Sequence, residues 1–479
     1  MASRFSAAAG RLGLWLVALA CFAAVFVASH KLRGHVVTPV GLLLAYVLPP
    51  IAGGIAIWLA ITTPARRLSR LFIEAVALAV SVVVIECALT VFASVRPALA
   101  NVGPGLQLER ARIAAKLGLP AFDLRTKSQA IADLRAHGVE AYPGISRDAL
   151  IQPRIKARFG DSLYPLSQVA SSRIVECNES GQFQTFVTDD YGFNNPPGLM
   201  AAGNPTIAAV GSSYTLGHCV PGIQGFMNHL RERYPRTLNF GMAGSHVVTM
   251  LATLREYVAP LRPRLVLWVM YPNAMEDYEL SDPILHSYLQ PGYSQHLLER
   301  RAEVDRLLRE NIVEIQREID AKQASDYAAS ERARWRRVLR FSELHERLKE
   351  SAVPMLKSLM FKPGPLTDFS QTLAIIALAR DSVAAWGGKL VVVLIPTFEE
   401  VVAKQIPADR SNARIMGLLS PLGVHVINGV PLFRTQADPA ALYNLRSNNH
   451  LNEAGHRLFG AAVAADLASH YPDLATASQ

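Results

Sequence analysis

Ile207-Ala-Ala-Val-Gly-Ser-Ser-Tyr-Thr215 is an apolar run of strand length that breaks at Gly211 and presents two adjacent serines, Ser212 and Ser213, ahead of a helical pattern. A strand ending at Gly followed by Ser puts a hydroxyl at the carboxyl edge of a parallel sheet, where such sheets gather their ligands. The chain then repeats the theme: residues 206–210, 237–240, 265–270, 390–395 and 424–428 are short apolar runs with helical stretches between them. This alternation predicts the α/β class, with a parallel sheet buried on both faces. Between the third and fourth runs, residues 295–360 form a charged insertion. Val304, Leu308, Ile312, Ile315 and Ile319 recur there at spacings of three and four, the pattern of an amphipathic helix. A brace against the core is the default reading of such a stripe; a lid and a dimer contact are the alternatives.

The amino-terminal part has a different character. Residues 12–29, 40–61 and 72–92 are each close to the roughly 20 apolar residues that a membrane-crossing helix needs. Pro49-Pro50 and Gly53-Gly54 suit a kink in the second. Of the acidic residues in the third, Glu74 lies near an end and Glu86 is read as facing a neighbouring helix. The first stretch lacks a small-x-small cleavage site and is followed by two more spans, so it reads as an uncleaved anchor. Arg4 and Arg11 precede the first span and Arg66, Arg67 and Arg70 lie between the second and third, whereas Lys31 and Arg33 fall on the other side. The positive-inside rule then places the amino terminus in the cytoplasm and everything beyond Phe92 outside it, periplasmic in a Gram-negative cell.

Three regions are therefore expected: an all-α transmembrane region at 1–96, a linker and small α+β leader at 97–200, and the α/β domain at 201–479. Within the leader, residues 97–121 read as linker, 129–138 as a short helix, and 173–177 with 182–187 as a hairpin around Asn178-Glu-Ser-Gly181. Asp189-Asp-Tyr-Gly-Phe-Asn-Asn-Pro196 is either a pocket rim or a connector capping the sheet edge, the second reading being favoured. The net charge is +9, but no basic run carries interleaved aromatics, so nucleic acid is not an expected partner. Of the four cysteines, Cys21 and Cys87 fall in spans. Cys177 and Cys219 fall outside the cytoplasm on this topology, where a disulfide persists; a bridge and two free buried thiols both remain open.

A hydroxyl nucleophile requires a base within reach and donors aimed at the developing oxyanion. Ser213, a loop Gly (Gly244), an Asn at a strand end (Asn273) and a His ahead of the last helix (His450) supply those parts in order. The serine lacks the Gly-x-Ser-x-Gly frame of a nucleophile elbow. Gly211-Ser-Ser213-Tyr-Thr-Leu-Gly217, Asn239-Phe-Gly-Met-Ala-Gly244, Pro272-Asn273-Ala-Met-Glu-Asp277 and Asn449-His450-Leu-Asn-Glu-Ala-Gly-His456 together resemble the four blocks of the SGNH (GDSL-type) hydrolases. The resemblance covers residues 206 to the carboxyl terminus, and residues 122–196 resemble the leader of a membrane-anchored bacterial branch.

That resemblance implies a three-layer α/β/α fold, Ser213 as nucleophile, His450 as base, and an oxyanion hole from the Ser213 amide, Gly244 and Asn273. It also implies an esterase or O-acyltransferase acting on ester, above all O-acetyl, groups of an envelope or exopolysaccharide glycan, with proteins of envelope-polysaccharide synthesis as partners. The blocks depart from the family at three places: Ser212 replaces an Asp, Ala274 replaces an Asp, and Ser447 stands where the third triad member belongs, with Asn448 beside it. Ser212, Ser447 and Asn448 are the supporting candidates. A Ser-His dyad is the minimal claim, with a carboxylate from elsewhere, Asp189 or Asp190 for example, as a substitute. A catalytically degenerate glycan-binding or scaffold protein is the alternative, and a membrane-surface lipase lacks the distinctive apolar lid. His218 and His246 are expected to line the pocket. No metal-ligand spacing is present, since His345-Glu346 lacks the second His of a zinc motif, and neither metal nor cofactor is expected.

Overall fold

The structure, a computed structural model, describes residues 2–31, 42–94, 103–271, 282–332, 368–403 and 411–476. Its residues group into two compact units, 1–100 with 326–366, and 101–325 with 367–479.

The first unit holds α1 (Ala2–Lys31), α2 (Leu48–Thr62) and α3 (Ala65–Ser94). Segments Phe5–Ala28, Leu43–Thr62 and Ala65–Glu86 are long and apolar enough to cross a membrane. Their packing relies on small residues: a Cβ on Gly53 would lie 3.0 Å from the Phe22 ring, and one on Gly10 would lie 2.7 Å from the Leu68 carbonyl oxygen. Glu86 is buried. Arg66, Arg67 and Arg70, which precede the apolar part of the third span, lie in the opening turns of α3. Pro64 ends the two-residue connector after α2, and from Ala65 the chain has no further helix breaker.

The second unit contains a five-stranded sheet of β4 (Ile207–Gly211), β5 (Thr237–Gly241), β6 (Leu265–Met270), β7 (Lys389–Leu394) and β8 (His425–Asn428), ordered β5-β4-β6-β7-β8. Every pairing is parallel. β4, β5 and β6, and β7 after Lys389, are buried on both faces, whereas the edge strand β8 is only partly buried. Val210, Phe240, Trp268 and Val392 join a core that includes Val247–Thr253 and Ser370–Ala385, while Ala209, Leu267 and Val393 face Phe226–Arg231 and α4 (Glu453–His470). The chain leaves β4 for β5 on one side and later returns to add β6 on the other. The crevice at the carboxyl end of β4 is therefore a switch point in strand order.

The leader belongs to this same unit and is built around a small sheet of β1 (Ala141–Pro143), β2 (Arg173–Val175) and β3 (Thr185–Val187), with β1 parallel and β3 antiparallel to β2. One of its expectations changes. Residues 103–116 are a helix, Gly103–Lys116, rather than linker, because Leu106 to Lys116 contains good helix formers and no Pro or Gly. The Asp189–Pro196 loop takes the capping role: Asn195 accepts from the Asn239 amide at 2.7 Å and donates to the Asn239 carbonyl at 3.1 Å, closing the exposed side of edge strand β5. The insertion begins as the helix Arg301–Arg332, whose Val304, Leu308, Ile312 and Ile315 are buried in the core, the bracing arrangement. It also holds the leader, through Arg309 with Glu140 at 2.8 Å and through the Ser128 amide with Asp320 at 2.9 Å.

Candidate active site

Ser213 stands at the first position of the helical turn Ser213–Leu216, immediately beyond β4. The turn fits so close to the strands because Gly211 has no side chain: a Cβ there would lie 2.1 Å from Thr215 Oγ1 and 2.7 Å from the Val269 carbonyl oxygen. Ser212 is buried and opens the turn with its carbonyl, which accepts from the Thr215 and Leu216 amides at 3.0 and 3.1 Å.

His450 lies just ahead of α4, and its position is set by the start of that helix. Asn452 is the N-cap, its side chain accepting from the Gly455 amide at 3.1 Å, and the His450 carbonyl accepts from the Asn444 amide at 2.9 Å. His450 Nε2 lies 2.9 Å from Ser213 Oγ, so the two residues joined by expectation are joined in space across 237 positions of sequence.

Behind the imidazole stands Glu179, from the Asn178-Glu-Ser-Gly181 turn of the leader. Its Oε2 accepts from the His450 backbone amide at 2.9 Å and lies 3.1 Å from His450 Nδ1; its Oε1 accepts from Arg110 at 2.8 Å. Arg110 Nη2 also donates to Asn449 at 2.8 Å, so one guanidinium secures both the carboxylate and the residue before the histidine. Burial alone would raise the Glu179 carboxyl. The His450 charge and hydrogen bond, with Arg110 and His218, outweigh that and hold it well below the ordinary carboxylate range. An ionised carboxylate only accepts, so Nδ1 carries a proton, and in the neutral imidazole Nε2 then turns its lone pair toward the serine hydroxyl.

Glu179 corrects the sequence expectation. Ser447 accepts from Asn449 Nδ2 at 2.8 Å, and Asn448 donates to Glu399 at 2.7 Å; both are turned to partners other than the imidazole. Asp189 is committed to the Tyr191 and Phe193 amides and to Asn195, each at 2.9 Å, and Asp190 to Ser171 at 3.0 Å. The carboxylate comes instead from a stretch that reads as a plain hairpin turn. Cys177 supplied the only signal, because it forms a disulfide with Cys219, Cα to Cα 5.3 Å, tying that turn to the segment after Ser213.

The left-handed backbone of Gly244, φ 73°, lies three residues beyond Gly241, which pairs with Gly211 at the same sheet edge. A Cβ on Gly244 would lie 2.5 Å from Ser146 Oγ and 2.8 Å from Asp148 Oδ2, so only glycine fits. Among the described residues, neither the Gly244 nor the Ser213 amide has a hydrogen-bond acceptor. Asn273 lies outside the described residues. His218 borders the site, its ring 4.9 Å from that of His450 and its Nδ1 2.9 Å from the buried Glu176 carboxylate. His246 is buried at the start of the helix Val247–Thr253.

No family model and no curated protein matches this chain. Two groupings beside Ser213 have the composition of metal ligands, Cys177 with His218 and Cys219, and Glu179 with Cys219 and His450. Both draw on sulfurs committed to the disulfide, which are not thiolates and so make poor ligands.

Proposed function

We propose that this chain is an SGNH-type, membrane-anchored esterase or O-acyltransferase in which Ser213, His450 and Glu179 act as nucleophile, base and orienting carboxylate. The observation that carries the reading is the continuous line from Ser213 Oγ to His450 Nε2, 2.9 Å, and from His450 Nδ1 to Glu179, 3.1 Å, at the carboxyl edge of a parallel sheet. That is the constellation of acyl transfer whatever the order of its members in sequence. It also weighs against a degenerate, binding-only protein, since the missing block Asp has a replacement.

In this mechanism Ser213 Oγ attacks the ester carbonyl carbon while His450 Nε2 takes the hydroxyl proton. Glu179 stabilises the resulting imidazolium and keeps its ring in register. The amides of Ser213 and Gly244, with Asn273 as the family likeness implies, receive the negative oxygen. As the tetrahedral centre collapses, the bond to the leaving alkoxide breaks and His450 returns the proton to it, leaving an acyl-Ser213. Water as second acceptor completes an esterase cycle; a sugar hydroxyl completes a transferase cycle. The O-acetylated envelope glycan as substrate, the extracytoplasmic placement and partners in polysaccharide synthesis rest on the resemblance and on the charge asymmetry around the apolar helices.

The test is labelling of the full chain in detergent by a fluorophosphonate, beside Ser213→Ala and His450→Ala. Labelling of the wild type and of neither variant is the expected result. An unlabelled wild type, under conditions that label a known esterase, moves the reading to a glycan-binding or scaffold role.

A further inference from the structure

At the opposite end of the sheet, away from Ser213, three potential ligands converge. His425 is the first residue of β8, while Asp466 and His470 are four apart in the last turns of α4 and so share one helical face. His425 Nε2 lies 2.6 Å and His470 Nδ1 3.3 Å from the same oxygen, Asp466 Oδ1. The two imidazole rings sit 4.1 Å apart, tilted by 37°. All three side chains are partly open to solvent, 24%, 28% and 50% exposed for His425, Asp466 and His470.

We propose that His425, Asp466 and His470 form a binding site for a borderline divalent transition cation of the zinc type, distinct from the candidate active site. Two imidazoles and one carboxylate are the donor set that such cations favour, and they leave open coordination positions for water on the solvent side. The spacing fits. Donors at about 2.0–2.2 Å around a tetrahedral ion stand about 3.4 Å apart, so the His470 contact at 3.3 Å already matches, while the His425 contact at 2.6 Å must open by about 0.8 Å as the ion enters, a shift within reach of side-chain rotation. His470 Nδ1 also lies 3.0 Å from the Asp466 carbonyl oxygen, a helix-end hydrogen bond that the ion would replace.

A bound ion has a structural consequence: β8 is an edge strand, and the ion would clip its first residue to the end of α4. A cation that binds only the folded state raises stability by mass action.

The experiment uses the full, tag-free chain, oxidised and chelator-treated, in detergent. Co2+ is titrated with visible absorption as the readout, and Zn2+ binding is measured by equilibrium dialysis. One ion per chain is expected, with affinity at least about tenfold lower, about 1.4 kcal/mol, in each of His425→Gln and His470→Gln and unchanged in His450→Ala. Zn2+ is expected to raise the thermal midpoint of the wild type and not of the His425→Gln/His470→Gln double variant. No binding to the wild type, or equal binding to the double variant with an unchanged circular dichroism spectrum, overturns the proposal. Fluorophosphonate labelling is unaffected either way, so this outcome is independent of the acyl-transfer reading.

Discussion

Glu179 and His450 stand 271 residues apart in sequence, yet one carboxylate oxygen of Glu179 holds both the backbone amide and Nδ1 of His450. The double contact fixes the loop and the ring together, so Glu179 sets where the imidazole is as well as which tautomer it adopts.

Glu179→Gln is predicted to lower turnover of an activated ester such as p-nitrophenyl acetate by about 10³–10⁴-fold, with a much smaller change in KM, because the imidazolium loses its counter-charge. The side-chain volume is preserved, so the protein is expected to keep its circular dichroism spectrum. Activity within about threefold of wild type would remove Glu179 from the mechanism.

Cys177→Ser and Cys219→Ser each open a loop of 42 residues. In the chain-entropy model the loss is about 4 kcal/mol. Because Glu179 is two residues from Cys177, activity is predicted to fall well before global unfolding as the temperature rises. Parallel loss of activity and ellipticity would show the bridge to be a stability element alone.

Gly244→Ala places a Cβ against Ser146 and Asp148 on a backbone with φ 73°. Displacing that loop is predicted to reduce kcat by about 10²–10³-fold, as for loss of one oxyanion donor, while Ser213 keeps its place in the helical turn after β4. The check is steady-state kinetics beside the thermal midpoint; a normal kcat would exclude Gly244 as a donor.

His456 gives the pH prediction. It is fully buried beside Phe226, whose amide it accepts at 3.2 Å, and burial, with His450 and His229 nearby, lowers its pKa to about 3. The unfolded chain takes up the proton near pH 6.5 and the folded one does not. The unfolded state therefore binds more protons between those limits, and stability falls as pH falls through that window, by at most about 1.4 kcal/mol per pH unit from this one group. Thermal midpoints of wild type and His456→Gln measured from pH 7 to 4 are predicted to converge on acidification. A constant offset would contradict the assignment.

Sequence patterning was a sufficient guide to the five strands and to the placement of Ser213, Gly244 and His450 at element ends, because burial on both sheet faces demands continuous apolar runs that are visible locally. The same reasoning failed at residues 103–116, where a Gly-Pro-Gly opening masked a helix, and at Glu179, where turn composition carries no trace of a distant imidazole. Arg110 was missed for the same reason, since it lies on that unrecognised helix.

By itself, then, the sequence determined an apolar three-helix segment, a parallel α/β domain and a serine and histidine poised at its edge, all consequences of periodicity and local chain stiffness. Only the tertiary structure decided which carboxylate stands behind His450. That choice depends on the leader folding back over the sheet and on the Cys177–Cys219 bridge, and neither long-range contact leaves a periodic mark on the residues that make it. The grouping of His425 with Asp466 and His470 is of the same kind: the helix spacing of the last two is visible in sequence, and the third ligand enters only through the packing of β8 on α4.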